Sequence, residues 1–250
     1  MNKKELFDLI IEKFLAVPGM QDIINEKIEV KAKSLSPEEA IGITDRKDYP
    51  ILTGTDVMIE ATYKGAKGQA FTSAPADFTG TLSDILKLDY MNDDQAAGLL
   101  VATINAVFGS MGICDRMVHC RNEGPKMCGI EIGDYVKAKY ADKKILVVGY
   151  QPSIIENLTK RGLNVRALDL DPKNVGFERC GIVIEHGVDD MDACKEWADV
   201  ILCTGSTVCN GTIVDYLDTG KQTYFFGTSL AGVAALLGLP RLCHADNYNK

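Results

Sequence analysis

The second half of the sequence, from about residue 143, alternates short segments rich in Val, Ile and Leu with segments of helical periodicity. This alternation is typical of a parallel β-sheet covered by helices, because parallel strands need a crossover connection that is usually a helix. The predicted strands span residues 144–149, 164–169, 182–185, 199–204 and 223–227. The predicted helices span residues 152–160, 191–197, 212–217 and 230–237, and one more runs from Pro125 to about Tyr140. We therefore predict an α/β protein with a Rossmann-like parallel-sheet domain over residues 114–250.

The first 113 residues predict a separate, small α+β domain. Its predicted elements are an amphipathic helix ending before Pro18, a strand alternating from Ile28 to Ala32, a short helix opened by Ser36-Pro37, an irregular polar segment over residues 45–55, a hairpin whose second strand ends near Phe71, a helix capped by Thr81 and Asp84, and a buried helix from Asp93 to Met111. Residues 64–68 are assigned to the hairpin turn. Few strands backed by helices are expected.

Composition excludes several classes of partner. The 250 residues carry a formal charge of -8, with no cluster of Lys and Arg among aromatic residues, so binding to a nucleic-acid backbone is not expected. The longest apolar segment, residues 96–113, is interrupted by polar residues, which argues against a membrane span. The eight cysteines form no CxxC pair, which favours the reducing cytoplasm.

The strand-end loops of the parallel sheet are the first candidate site, because ligands bind there where the strand order reverses. The candidate residues are Gly149, Asp169, Thr204, Gly205, Ser206, Thr207, Asn210, Thr228 and Ser229. Gly149 begins a dinucleotide fingerprint, but Gln151 and Ile154 stand at its next glycine positions, which disfavours NAD. Asp169 stands where a ribose-binding carboxylate would lie. The alternatives are that Asp169 is an ordinary strand-end residue and that Ser206 or Thr207 only caps a helix.

The junction between the two predicted domains is the second candidate site. His119, Cys120 and Cys128 offer imidazole and thiol groups, and Glu123 offers a carboxylate. Such a set suits zinc, nickel, cobalt or copper, and Cys128 is expected in the first helical turn, where the helix dipole would stabilise a thiolate. The alternative is that the cysteines are small buried apolar residues and that His119 is an interior hydrogen-bonded residue.

Four segments of the chain resemble one known family. They are residues 65–72, the junction 119–128, the segment 168–172, and residues 204–207 together with 210–212. They resemble the putative heavy-metal chelation family, a domain of unknown function. The resemblance implies an enolase N-terminal-like domain joined to a Rossmann-like domain, with a cleft between them that the Gly149 turn and the loop from Thr204 to Thr212 face.

Three functions remain open at this point. The first is a cytoplasmic protein that binds a small polar ligand, a metal ion or a metal-bearing compound between its domains. The second is an enzyme that uses a nucleoside cofactor, either a methyltransferase or a divergent oxidoreductase. The third is a ligand sensor without turnover, since one cleft can serve sensing and chemistry alike. The sequence leaves the ligand, any turnover and homo-oligomer formation undecided.

Overall fold

The computed structural model describes residues 1–31, 36–53 and 57–248, which form two β-sheets with helices packed on them. The elements of the first part are α1 (Lys3–Leu15), α2 (Met20–Ile23), β1 (Lys27–Lys31), α3 (Pro37–Ile41), α4 (Pro50–Thr53), β2 (Val57–Tyr63), β3 (Ala66–Thr72), β4 (Phe78–Thr81), α5 (Leu82–Ile85) and α6 (Asp94–Ser110). The four strands form an antiparallel sheet in the order β3-β2-β1-β4.

Local sequence signals begin several of these elements. Ser36 and Thr81 each accept a hydrogen bond from the backbone three residues later, and the acidic side chain there returns one, so both predicted capping boxes are present. The β2–β3 hairpin turns on Lys64 and Gly65 alone, with φ of 47° and 82°. Two consecutive positive φ values are typical of a type I′ turn.

The predicted turn over residues 64–68 is therefore too long, because Gly68 lies inside β3. A Cβ atom on Gly68 would stand 2.2 Å from the Ala106 nitrogen and 2.5 Å from the Ala102 carbonyl oxygen, both in the backbone of α6. The absence of a side chain lets this strand lie directly against the helix.

Helix α6 is the central element of the hydrophobic core. All its residues from Ala96 to Phe108 are buried, as expected for a helix that is apolar on every side. It packs on β2 and β3 of the first sheet and also on two helices of the second part of the chain. One continuous apolar cluster consequently runs from Leu6 through α6 to Phe225.

The second part forms a seven-stranded sheet. Its elements are α7 (Gly124–Tyr140), β5 (Lys144–Val148), α8 (Pro152–Lys160), β6 (Asn164–Asp169), β7 (Glu178–Arg179), β8 (Ile182–His186), α9 (Met191–Trp197), β9 (Val200–Thr204), α10 (Thr207–Asn210), α11 (Val214–Leu217), β10 (Gln222–Phe226), α12 (Ala231–Leu237), β11 (Arg241–Leu242) and a 3-10 helix (Ala245–Asn247). The strand order is β11-β10-β9-β5-β6-β8-β7, and all neighbours are parallel except β7 with β8.

The six parallel strands, counted along the chain, follow the order 3-2-1-4-5-6, which is typical of Rossmann folds. The chain moves from β5 outward to β6 and β8 and then returns to the other side of β5 with β9. The strand order therefore reverses between β5 and β9, and this is where a ligand is expected to bind.

The predicted α/β class and two-sheet architecture are confirmed, and most differences are short elements. Five short elements, α2, β4, α10, β7 and β11, were not predicted from the sequence, and α4 lies in the segment 45–55 that was predicted to be irregular. Ala32, in the first predicted strand, and residues 54 and 55 lie outside the described residues. The domain boundary at residue 113 stays a prediction. Within the described ranges, no helix combines the length and apolarity needed to cross a membrane.

Candidate functional site

A cleft of about 650 Å³ lies beyond the carboxyl ends of the parallel strands, between the strand-end loops and the first part of the chain. A volume of this size is typical of small-molecule sites. The cleft reaches the ends of β5 and β9 at Gly149 and Thr204, so it includes the point where the strand order reverses.

The walls of the cleft are largely apolar and partly aromatic. The first part of the chain contributes one wall, with Ile41, Tyr49, Pro50, Ile51, Met58 and Phe71. The second part contributes the facing residues Val148, Tyr150, Leu168, Leu170, Val188, Met191, Tyr216 and Phe226. Apolar and aromatic walls favour a ligand that has a ring or another apolar body.

Most residues predicted for the strand-end loops line this cleft. They are Gly149, Asp169, Thr204, Ser206, Thr207, Asn210, Thr228 and Ser229. Gly205 is the exception, since a Cβ atom there would stand 2.8 Å from Leu230 Cβ, and its N–H donates to the Phe226 carbonyl oxygen at 2.7 Å. Gly205 therefore permits close packing behind the cleft. Whether the lining residues bind a ligand stays a prediction.

Gly149 has a structural reason to be glycine. Its φ is +88°, and a Cβ atom would stand 2.6 Å from Thr204 Cγ2. The loops after β5 and β9 can approach each other because this side chain is absent. The result is a narrow polar floor where Thr204 Oγ1 and Ser206 Oγ lie 3.1 Å apart.

Asp169 ties the first two loops together. One carboxylate oxygen accepts from the Tyr150 N–H at 2.5 Å, and the other accepts from the Asp171 N–H at 2.7 Å. Asn174 Nδ2 adds a longer contact of 3.4 Å. The carboxylate thus holds the loops after β5 and β6 in register, while it also lines the cleft. A ribose hydroxyl would compete with these backbone donors.

Asp215 lines the cleft as well, although it is not among the site residues predicted from the sequence. It is half-buried in the first turn of α11, and its carboxylate makes no hydrogen bond or ion pair with a described residue. A signal was present in the sequence, because Thr212, Asp215 and Tyr216 have the spacing of one helix face. All three line the cleft.

The hydroxyl group of Thr228 is another polar group of the cleft lining. The residue is 3% exposed and lines the cleft, yet its hydroxyl makes no hydrogen bond to any residue within the described ranges. Among the described residues, Thr228 Oγ1 is not one of the buried side-chain atoms that lack a hydrogen bond, so the hydroxyl is open to the cleft. It is therefore available to a ligand there.

A buried amide joins the two walls. Asn105, fully buried in α6, donates through Nδ2 to the carbonyl oxygens of Gln69 and Ser229, both at 2.9 Å, and its Oδ1 accepts from the Gly232 N–H at 2.7 Å. Ser229 Oγ also accepts from the Phe71 N–H at 3.0 Å. Asn105 is therefore a buried residue whose amide is fully hydrogen-bonded. Its contacts position the Thr228-Ser229 loop.

An ion-pair network contacts Tyr150, which lines the cleft. Arg46 donates to both carboxylate oxygens of Asp48, at 2.5 and 3.0 Å, and to Glu156 of α8 at 2.5 Å. The Tyr150 hydroxyl donates to Asp48 at 3.2 Å. Because Arg46 is paired with two carboxylates, its charge is not available to an anion in the cleft.

His119 stands at the boundary between this cleft and a smaller cavity and lines both. Its Nδ1 lies 2.7 Å from the Cys120 carbonyl oxygen. Burial lowers the pKa of His119, although this hydrogen bond raises it, so the ring is neutral near pH 7. Since a carbonyl oxygen can only accept, Nδ1 carries the proton and Nε2 is left as an acceptor.

The smaller cavity, of about 40 Å³, is lined by three thiols, those of Cys120, Cys128 and Cys243; we call it the thiol chamber. Burial raises the pKa of all three thiols, that of Cys128 to about 12. The expected thiolate at Cys128 is therefore wrong. Helix α7 begins at Gly124, which places Cys128 just beyond the first turn, where desolvation outweighs the helix dipole.

The proposed metal ligands do not come together as one set. Glu123 is exposed and pairs with Lys126 at 2.9 Å, and it lines neither cavity. Among the described residues, no group of three or more His, Cys, Asp or Glu side chains is placed to hold a metal ion. The donor types suit a soft metal, but their arrangement in this structure does not fit a preformed site.

One known family model matches part of the chain. Residues 134–237 match the model of the domain family DUF364, described as putative heavy-metal chelation. The predicted family resemblance is confirmed. The matched segment contains most strand-end loops of the cleft, whereas residues 65–72 and 119–128 lie outside it. No curated protein matches the chain.

Two solved structures described as DUF364 proteins of unknown function share the fold. The one from Pyrococcus horikoshii has 16% identity and a TM-score of 0.55, over 90% of this chain and 79% of that chain. The one from Desulfitobacterium hafniense DCB-2 has 14% identity and a TM-score of 0.56, over 95% of this chain and 83% of that chain. Both alignments extend across both parts of the chain, and at these identities they support the fold alone.

Proposed function

We propose that the protein binds a small organic molecule of nucleoside size, with a planar ring, in the cleft between its two parts. The observation that carries this proposal is the cleft of about 650 Å³ at the reversal of strand order. Its aromatic walls suit the faces of a ring, and Thr204, Ser206 and Thr228 suit the polar edge of a ligand.

Binding of such a molecule is compatible with an enzyme and with a sensor. A nucleoside-cofactor enzyme would use the same cleft, but Gln151 and Ile154 replace the fingerprint glycines, which disfavours a dinucleotide more than a smaller nucleoside. A methyltransferase is therefore a better enzymatic candidate than an oxidoreductase. A sensor would need binding alone.

A thermal-shift screen of adenosine, S-adenosylmethionine, NAD and uncharged heteroaromatic fragments tests the proposal. We expect at least one nucleoside or fragment to stabilise the protein, by about 2.7 kcal/mol at 100 times its dissociation constant. Thr228→Val should weaken that ligand about fivefold, the equivalent of about 1 kcal/mol for one lost hydrogen bond.

Thr103→Val is the matched control for this substitution. The Thr103 hydroxyl is buried without a hydrogen bond to a described residue, and Thr103 does not line the cleft. Its replacement should leave ligand affinity unchanged. If no compound in the screen binds, or if both variants lower affinity equally, the cleft is not the binding site.

A metal-bearing ligand is a second candidate, in keeping with the chelation description of the family model. The observation that favours it is His119, whose Nδ1–H···O=C bond to Cys120 leaves Nε2 as a donor atom for a metal. Ligating histidines commonly donate their other N–H in this way. The thiol chamber adjoins the same imidazole.

Elemental analysis of protein purified without oxygen tests this second candidate. A stoichiometric zinc, nickel, cobalt or copper content that falls in Cys120→Ala and Cys128→Ala would support it. Cys194→Ala is a suitable control, because Cys194 is buried but lines neither cavity. A metal content near zero in the parent protein would contradict the metal-bearing form and leave organic binding intact.

A further inference from the structure

Negative charges outnumber positive charges in the lining of the cleft. Its charged lining residues among those described are Asp169, Asp171, Lys173 and Asp215. The Lys173 ammonium donates to the Thr53 carbonyl oxygen at 2.8 Å, and its side chain is exposed at the rim. Carboxylates therefore determine the electrostatic potential inside the cleft.

No arginine among the described residues lines the cleft, and the nearby Arg46 is held by Asp48 and Glu156. Sites for phosphate normally supply arginine or lysine side chains, or backbone N–H groups on glycine-rich turns. Here one backbone N–H at the first turn, that of Tyr150, already donates to Asp169. A phosphate group in this cleft would face three carboxylates and a single ammonium group, that of Lys173.

The three carboxylates differ in the hydrogen bonds that they accept. Asp169 and Asp171 both accept backbone N–H groups of their own loops, at 2.7 Å from Asp171 and 2.9 Å from Lys173 respectively. Asp215 is half-buried and makes no such bond to a described residue. Its carboxylate is therefore available to pair with a cationic group in the cleft.

Tyr49 is an independent observation that points to a polar ligand in the cleft. It lines the cleft and is 3% exposed, and its buried hydroxyl makes no hydrogen bond to a described residue. Aromatic rings also line the cavity at Tyr150, Tyr216 and Phe226. Such rings attract a cation through their faces.

From this arrangement we propose that the cleft selects organic ligands that are positively charged or uncharged and rejects phosphorylated ones, with Asp215 pairing with the ligand's cationic group. This inference rests on the proposed function, since it concerns the same cleft. It deepens that function by naming the charge class of the ligand.

Three adenosine derivatives that differ in one substituent provide the test: 5′-amino-5′-deoxyadenosine, which is cationic at neutral pH, adenosine, and AMP. Affinities are measured by calorimetry at low ionic strength, where charge effects are largest. We expect the amine to bind most tightly and AMP most weakly. Asp215→Asn should weaken the amine about tenfold, the equivalent of about 1.4 kcal/mol, and change adenosine less than twofold.

Asp218→Asn is the matched control, because Asp218 is exposed on the same segment and does not line the cleft. It should leave all three affinities unchanged. Tightest binding by AMP, or an equal loss for the amine and adenosine in Asp215→Asn, would overturn the charge inference while leaving the proposed function standing. Failure of all three compounds to bind would overturn both.

Discussion

Replacing Asn105 with alanine is expected to lower the free energy of unfolding by about 3 kcal/mol or more. Three buried backbone groups, on Gln69, Ser229 and Gly232, lose their partner, and each unsatisfied group costs about 1–3 kcal/mol. Ligand affinity in the cleft should fall as well, since the Thr228-Ser229 loop loses an anchor. Chemical denaturation monitored by circular dichroism measures the stability change.

Thr103→Val in the same helix separates this effect from a general intolerance of α6. The Thr103 hydroxyl is buried and unbonded, so its removal should raise the free energy of unfolding by about 1 kcal/mol. A loss of stability in Thr103→Val comparable to that in Asn105→Ala would show that the hydrogen bonds of Asn105 are not the cause.

Replacing Gly68 with alanine is expected to have the second large effect. The added methyl group would stand 2.2–2.7 Å from backbone atoms of α6. A helix backbone cannot relieve such a clash by a change of rotamer, as a side chain can. Overpacking of this kind costs about 1–3 kcal/mol and sometimes more. We expect the upper end, because moving β3 also disturbs the bond from Asn105 to Gln69. The midpoint of urea denaturation measures the loss.

Lys67→Ala is the control on the neighbouring position of the strand. Lys67 is exposed and pairs with Glu60 at 2.8 Å, a contact worth about 1 kcal/mol at most. If Gly68→Ala proves as mild as Lys67→Ala, then β3 can move away from α6 at little cost. The close approach would then be incidental to stability.

Periodicity and caps were sufficient to predict most of the fold. Strand β6 and helices α8 and α9 have the predicted bounds, because each combines a clear apolar pattern with a flanking turn or cap. Strands β7 and β11 have two residues each, too few to show any period. Gly68 was assigned to a turn because a glycine in sequence does not reveal which backbone it lies against.

The candidate site was predictable on one side only. Strand-end loops can be located from sequence because parallel strands share an edge, so Gly149, Thr204 and Thr228 were found. Tyr49 and Phe71 reach the cleft through tertiary packing of the first part, which no local pattern encodes. The thiol at Cys128 was misjudged for a related reason, since its burial depends on Cys243 and Ala245 far along the chain.

The shared core beneath the cleft has a consequence for the kinetics of ligand exchange. Because α6 packs on both halves and the apolar cluster is continuous from Leu6 to Phe225, the two walls cannot separate without exposing that core to water. Association and dissociation are therefore expected to depend on side-chain motion at the mouth, where Leu170 and Val188 are exposed. Residence times should respond to the size of these two side chains.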